Sequence, residues 1–185
     1  SLAISPSLSS LMKQKPSHMS RDTFIDVFGS VYEHSCWIAE QVFDSGLTSL
    51  FDESSTLFAV MSEVVDQAGQ DAQLELLQNH PDLAGKLAVS GKLTAASAAE
   101  QAGAGLDRCT DVEFDEFTKL NNRYQQSFGF PFIVAVRGLD KEHILEQFRH
   151  RVQNDWDTEF DCALSQVHRI ARLRIDQIIV PTEDY

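Results

Sequence analysis

Apolar residues recur at helical spacing along most of this chain, and this period constrains the fold more than any other feature of the sequence. The first run occupies positions i, i+3, i+4, i+7 and i+8, and its members are Phe24, Val27, Phe28, Val31 and Tyr32. This spacing places side chains on one face of a helix. Ser20 stands where an N-cap hydroxyl is favoured. The sequence therefore predicts an amphipathic helix that begins after Ser20 and faces a core.

The same period continues towards the carboxyl end of the chain. Further helices are predicted over residues 57–65, 74–79, 94–103, 112–128, about 140–153 and about 155–179. His80-Pro81 ends the segment that precedes it, because the residue before a proline disfavours helical backbone. Thr110 and Glu113 have the spacing of a capping box, and Gly129 is a typical helix end. Most of the chain is thus predicted to be helical.

Residues 130–136 are the one stretch with strand character. They read Phe-Pro-Phe-Ile-Val-Ala-Val, but a single strand has no partner and a proline stands near its start. We interpret them as a buried extended segment. The predicted fold is all-α, a compact single domain of about eight helices over residues 20–180. It is expected to follow an irregular lead-in over residues 1–19 and to precede a short tail over residues 181–185.

Charge and composition argue against several classes of partner. Lys and Arg number 15 against 28 Asp and Glu, and the resulting net charge of −13 repels phosphate backbones and anionic lipid. No run approaches the ~18 apolar residues of a membrane span, and the first 20 residues lack the apolar run of a signal peptide. The 3 cysteines stand far apart, which argues against a disulfide framework. We expect a cytoplasmic protein without nucleic-acid or membrane partners.

The run His80-Pro81-Asp82-Leu83-Ala84-Gly85-Lys86 carries the first candidate chemistry. A helix C-terminus favours the imidazolium form, so His80 by itself fits a structural cap. Glu100 follows on a helix that the short connection over residues 83–93 could fold back beside His80. A carboxylate bound to one ring nitrogen would leave the other able to move a proton. Asp82 fits ordinary turn chemistry and is expected to be structural.

A second group of polar side chains shares one face of the helix that Thr94 opens. Ser97, Glu100 and Gln101 are spaced i, i+3 and i+4 among four alanines. This arrangement suits a pocket wall, and a solvated helix face explains the spacing equally well. Both interpretations stay open.

Three arginines near the end of the chain form another candidate group, Arg169, Arg172 and Arg174. Surface ion pairs explain most such arginines, but one that turns inward could bind a substrate carboxylate through two parallel hydrogen bonds. Residues 129–132 offer aromatic surface and backbone amides for a flat ring, or serve only as core packing. The 6 histidines show neither an H-E-x-x-H pattern nor cysteine partners at ligand spacing, so no metal or cofactor is predicted.

Several motifs, taken in order, resemble one known family. The His80 run is followed by Ser97-x-x-Glu100-Gln101 and by Leu120-Asn121-x-x-Tyr124-x-x-x-Phe128-Gly129-Phe130-Pro131-Phe132-Ile133. The segment Tyr32-Glu33-His34-Ser35-x-Trp37-Ile38-Ala39-Glu40 resembles the N-terminal helix signature of the same family, and Ile170-Ala171-x-x-Arg174 its C-terminal one. The family is that of 2-oxo-4-hydroxy-4-carboxy-5-ureidoimidazoline (OHCU) decarboxylase, of urate degradation. The resemblance runs from about Leu8 to about Val180, and Cys36 departs from it where many relatives carry proline.

The resemblance implies a compact all-helical homodimer that needs no metal or organic cofactor. It implies that the small-molecule substrate OHCU is converted to (S)-allantoin with release of CO2. Carried over position by position, His80 is the catalytic acid/base and Glu100 is its partner. The implied substrate-binding residues are Pro81, Ser97, Gln101, Phe132, Ile133 and Arg174. Phe132 and Ile133 would act through their backbone, and Arg174 would be the cationic anchor.

Two other classes of function remain as alternatives. His-Pro-Asp is also the signature of J-domain co-chaperones, in which a basic helix precedes it, but residues 74–79 carry no Lys or Arg. A non-catalytic homologue that binds a ureide or acts as a scaffold is the second alternative. The joint presence of His80, Ser97, Glu100, Gln101 and Arg174 argues against it.

Overall fold

A computed structural model describes residues 14–180 of the chain. The predicted tail over residues 181–185 and most of the predicted lead-in lie outside the described residues. Within residues 14–180 the backbone forms helices, turns and irregular segments but no strand, which confirms the all-α prediction. The α-helices are α1 Arg21–Phe28, α2 Trp37–Asp44, α3 Ser54–Gln67, α4 Gln70–Gln78, α5 Lys86–Val89, α6 Ala95–Gly103, α7 Asp111–Phe128, α8 Lys141–Arg151 and α9 Trp156–Ile178. Short 3-10 helices are Pro16–His18, Ser49–Asp52 and Leu106–Arg108.

Local signals in the sequence locate several helix ends correctly. Ser20 and Thr94 each accept a hydrogen bond from the backbone N–H three residues further on. Thr110 and Glu113 form both bonds of the predicted capping box at the start of α7. Gly129 ends the same helix with a φ of +77°, a conformation that glycine adopts without steric cost. No helix within the described part of the chain is long and apolar enough to span a bilayer.

The first helix is shorter than its periodicity predicts. Helix α1 ends at Phe28, whereas the pattern continued to Val31 and Tyr32. Gly29 and Ser30 are weak helix formers, and the chain turns after them. Val31 and Tyr32 are nevertheless buried, at 2% and 1% exposure. The pattern thus identified the buried side chains correctly but assigned them to the wrong backbone conformation.

The connection between the two candidate motifs is not a plain loop. It contains the short helix α5, which the sequence analysis did not predict. Residues 130–136, in contrast, are extended, buried and without a sheet partner among the described residues, as predicted. Side chains therefore have to provide hydrogen bonds to this segment that a sheet would otherwise provide.

The described residues fall into two compact units. One contains residues 14–73 and 168–180, and the other is Leu74–Val167. The predicted single domain over residues 20–180 stays a prediction. In the first unit α2 packs on both α1 and α3, and its buried side chains include Phe24, Phe28, Ile38, Leu57 and Met61.

The core of the unit Leu74–Val167 is aromatic and surrounds residues 130–136. The Phe132 ring stacks on Phe148 with centroids 4.0 Å apart, and the Tyr124 ring meets Phe132 edge-on at 5.6 Å. Phe130 also lies edge-on to Tyr124, at 5.9 Å. Phe130 and Phe132 are both almost fully buried. This packing fixes the extended segment against α7 and α8.

Candidate active site

His80 lies two residues after the end of α4, in the unit Leu74–Val167, and is 9% exposed. Its backbone N–H donates to the carbonyl of Leu77 at 3.2 Å, which closes the last turn of the helix. Pro81 has no N–H to continue the pattern, so the chain leaves the helix here. The imidazole is therefore held in a largely buried position, which suits either a structural cap or an acid/base.

The polar face of α6 is less exposed than a solvated helix face would be. Ser97 and Gln101 are each 5% exposed, and Glu100 is half-buried. The solvated-face interpretation is therefore wrong for Ser97 and Gln101. Because buried polar groups are normally hydrogen-bonded, we expect the side chains on this face to have defined polar partners within the protein. The expected bond between Glu100 and His80 stays a prediction.

Two side-chain amides hold the loop that follows His80. Gln101 Nε2 donates to the carbonyl of Asp82 at 3.2 Å, and its Oε1 accepts from the N–H of Ala84 at 3.1 Å. Asn121 Nδ2, from α7, donates to the carbonyl of Leu83 at 3.0 Å. Ala84 has a φ of +50°, a conformation that costs energy for a residue with a Cβ. Gln101, predicted to bind substrate, thus also holds this loop in place.

A cavity of about 670 Å³ lies beside the same loop. His80 and Pro81 line it, together with Asp82, Asn121 and Phe114 among others. Its volume is in the range that suits a small polar molecule. The other predicted site residues are not among those that line it, and they are Ser97, Glu100, Gln101, Phe132, Ile133 and Arg174.

Burial raises the pKa of the Asp82 carboxyl above its ordinary value. The folded protein therefore binds this proton more tightly than the unfolded chain does, and ionisation of Asp82 lowers stability once the pH exceeds the ordinary pKa. We expect Asp82→Asn to raise the melting temperature at pH 7. The gain should shrink as the pH falls towards the ordinary pKa of 3.8, below which Asp82 is protonated in both states.

Thermal melts of Asp82→Asn and of the unmodified protein between pH 4 and pH 7 test this expectation. Asp161→Asn, at an exposed position of α9, is the matched control and should show no such pH-dependent gain. A lower melting temperature for Asp82→Asn at pH 7 would show that the carboxylate makes a stabilising contact.

A buried network of polar side chains around Arg151 and Glu159, in the same unit, was not predicted from the sequence. Arg151 and Glu159 form an ion pair with side chains 8% and 0% exposed. Arg151 Nε donates to Glu159 Oε1 at 3.0 Å, while Nη2 lies 2.9 Å from the same oxygen at an angle that leaves it without a hydrogen bond. Tyr124 Oη donates to Glu159 Oε1 at 2.5 Å, and Asn154 Nδ2 donates to Oε2 at 3.0 Å. Burial and the neighbouring Glu159 carboxylate both raise the pKa of Tyr124, which therefore stays protonated as a donor.

Arg174 belongs to the other unit, where it is 5% exposed. Its Nη1 donates to Glu33 Oε2 at 2.7 Å and to the carbonyl of Ser30 at 3.1 Å. It is thus the inward-facing arginine that the sequence analysis expected among three candidates. Arg172 instead pairs with Asp176 at 3.1 Å near the surface, and Arg169 is exposed. The expected contact between Arg174 and a substrate carboxylate stays a prediction.

Some buried polar residues were not singled out as site candidates from the sequence, among them Arg151, Glu159, Asn121 and Glu33. Asn121 and Glu33 occur in the quoted family motifs, which is the only signal that could have drawn attention to them. Arg151 and Glu159 lie on different helices, so helical periodicity does not pair them. Among residues 14–180, no group of three or more His, Cys, Asp or Glu is arranged to hold a metal ion.

Comparisons with known proteins agree with one another. The family model described as OHCU decarboxylase matches residues 17–176. The 2-oxo-4-hydroxy-4-carboxy-5-ureidoimidazoline decarboxylase of Haloferax volcanii is 39% identical over 165 residues, which are 89% of this chain and 94% of that protein. The uric acid degradation bifunctional protein PucL of Bacillus subtilis is 39% identical over 161 residues, 87% of this chain but 31% of PucL. A crystal structure of (S)-allantoin synthase superposes with a TM-score of 0.68 at 31% identity, over 88% of this chain and 52% of that one.

Proposed function

We propose a function from one premise: the chain belongs to the OHCU decarboxylase family. As a member of that family it is a decarboxylase of urate degradation, and the product we assign to it is (S)-allantoin. The observation that carries this conclusion is the match over residues 17–176, which includes every candidate site residue. The burial of His80, Ser97 and Gln101 supports it.

The substrate itself supplies the route for the electrons. One of its carbons bears both a carboxylate and a hydroxyl, next to a C=N bond. When the bond to the carboxylate breaks, CO2 leaves and the electron pair passes towards the C=N nitrogen. The hydroxyl carbon becomes a carbonyl as its proton departs, and two protons are added, one at the C=N nitrogen and one at the ureido-bearing carbon. Overall one proton is taken up, so the protein has to orient the breaking bond and manage protons.

His80 is the acid/base in this proposal, and Glu100 orients it. Imidazole is the side chain best suited to exchange protons at neutral pH, and the buried position of His80 near the end of α4 keeps its ring in one place. A carboxylate on one ring nitrogen selects the tautomer that leaves the other nitrogen for the hydroxyl proton. Delivery of the new proton to one face of the substrate then yields one enantiomer.

The remaining candidates bind and orient the substrate. We assign the carboxylate to Arg174, whose guanidinium is held in one orientation by Glu33. Ser97 and Gln101 bind polar groups of the substrate from the buried face of α6. Pro81 contacts the ring, and the backbone of residues 132–133 bonds the ring or the ureido group.

A circular-dichroism time course tests the proposed reaction. OHCU is generated in situ from urate, and the appearance of (S)-allantoin is followed with and without the protein. We expect the protein to accelerate its appearance, and Glu100→Gln to lower kcat by at least about tenfold, because the imidazole loses its orienting charge. Glu146→Gln, at an exposed position of α8, is the control and should keep the full rate. No acceleration by folded, unmodified protein would contradict the proposal.

A non-catalytic homologue is the remaining alternative, and the same experiment separates it. Such a protein would be stabilised against heat by (S)-allantoin yet would not accelerate the decay of OHCU. We favour the enzyme because the relatives that the chain matches over most of its length are named decarboxylases.

We also propose that the protein is a homodimer located in the cytoplasm. Leu87, Val89 and Phe114 are exposed apolar side chains around one cavity, and surfaces of this kind commonly bind protein. The three cysteines are free thiols, in keeping with a reducing compartment. Light scattering should give about twice the chain mass of 20.7 kDa, and a monomer at micromolar concentration would contradict the dimer.

A further inference from the structure

The extended segment over residues 130–136 receives hydrogen bonds from side chains. Arg151 Nη1 donates to the carbonyl of Ile133 at 2.6 Å, a short charge-assisted bond. Further along, the N–H of Ala135 donates to Gln166 Oε1 at 3.0 Å. Since no strand lies beside this segment among the described residues, these side chains determine where its backbone groups point.

One guanidinium contacts both residues of the expected substrate-binding pair. While Nη1 bonds Ile133, the Cζ atom of Arg151 lies 4.5 Å from the centroid of the Phe132 ring. Phe148 also restricts the position of the Phe132 ring, because the two rings stack at an interplanar angle of 9°. A change at Arg151 is therefore transmitted directly to the backbone at residues 132–133.

The guanidinium of Arg151 is itself held in place by Glu159. Glu159 accepts hydrogen bonds from Arg151, Tyr124 and Asn154, which come from α8, α7 and the turn before α9. Its side chain is fully buried. These bonds favour one arrangement of the Arg151, Tyr124 and Asn154 side chains around Glu159, because the loss of any of them would leave another buried polar group without a partner.

Stability alone is a weak explanation for such a pair. The desolvation cost of two buried charges commonly offsets their attraction, and apolar replacements of similar volume are often as stable. The specific effect of the Arg151–Glu159 pair is that it orients the Ile133 carbonyl and positions the Phe132 ring.

We infer that Arg151, oriented by Glu159 and Tyr124, is a positioning residue that holds the backbone of residues 132–133 ready to bind the substrate. This inference rests on the proposed function, in which that backbone bonds the ring or the ureido group. Arg151 acts through the segment and does not itself touch the substrate.

The inference predicts a specific kinetic signature. Contacts made equally in the ground state and in the transition state change KM and leave kcat unaltered. We expect Arg151→Met to raise KM about tenfold with kcat within about threefold of the unmodified enzyme. Partial unfolding would instead lower the active fraction, and so the apparent kcat, at an unchanged KM.

Two companion variants keep the test decisive if Arg151→Met folds poorly. Arg151→Met/Glu159→Gln removes both charges and keeps an acceptor for Tyr124, yet still deprives Ile133 of its donor, so KM should stay raised. Tyr124→Phe removes a single hydroxyl and should raise KM about twofold to threefold. Arg149→Met is the control and should leave KM unchanged. Arg149 lies on the same helix as Arg151 but forms an exposed ion pair, with Glu116.

Hydrogen exchange gives a readout that does not depend on activity. In Arg151→Met, amides of residues 130–136 should exchange at least about tenfold faster, while those at the centre of α7 keep their protection. Raised KM with faster exchange supports the inference. Unchanged KM in all three variants, or unchanged exchange, overturns it. Failure of the proposed function is distinct, because the unmodified protein would then fail to accelerate OHCU decay whatever the exchange rates are.

Discussion

Replacing His80 with alanine is expected to lower kcat for OHCU decarboxylation by about 10²- to 10⁴-fold, the usual contribution of a positioned acid/base. The side chain is 9% exposed at the end of α4, so its loss removes a fixed proton-transfer group that bulk water replaces poorly. KM should change much less, because binding is assigned to other residues. The circular-dichroism time course, run at saturating substrate, measures this directly.

Two controls separate lost chemistry from lost structure in the His80 experiment. His150→Ala, at an exposed position of α8, should keep the full rate. Melting curves should show that His80→Ala is folded at the assay temperature. A folded His80→Ala protein with kcat within about twofold of the unmodified enzyme would remove His80 from the mechanism and favour its role as a structural cap.

Glu159→Ala is expected to lower the free energy of unfolding by about 3–5 kcal/mol, the largest stability effect that we predict. The substitution leaves the guanidinium of Arg151 buried without its carboxylate, and it removes the acceptor of the Tyr124 hydroxyl as well. Urea denaturation at pH 7, with the slope of the transition compared between variants, gives the change.

An exposed pair and a double variant control the Glu159 experiment. Asp176→Ala breaks the surface pair with Arg172 and should cost less than about 1 kcal/mol. Arg151→Met/Glu159→Gln should recover at least half of the loss, because no unpaired charge then remains buried. A loss below about 1 kcal/mol for Glu159→Ala would mean that water reaches Arg151.

Much of the fold followed from local signals in the sequence. The cap at Ser20, the capping box at Thr110 and the end at Gly129 are all as predicted, since each depends on residues within one helical turn. The extended segment over residues 130–136 followed from a proline and from the lack of a partner strand. The end of α1 was predicted too late. Val31 and Tyr32 are buried by the turn after the helix, and an apolar pattern indicates burial but not backbone conformation.

The membership of the candidate site stays a prediction, and the hydrogen bonds that the structure shows around it were not predicted. His80, Ser97 and Gln101 are buried, in line with the resemblance to OHCU decarboxylases. The bonds that Gln101 makes to the loop after His80 were not predicted, nor was the network of Arg151 and Glu159. Nothing in their spacing distinguishes these side chains from ordinary polar residues on helix surfaces.

The sequence by itself determined most of the helices, many of the buried apolar side chains and the family that the chain resembles, because periodicity, caps and motifs act over short distances along the chain. Only the tertiary structure decided which buried polar groups meet. Glu33 and Arg174 stand 141 positions apart, and Ile133 and Arg151 stand 18 apart. The physical reason is that a buried polar group must bond whatever group packing brings within about 3 Å, and packing is a property of the whole folded chain.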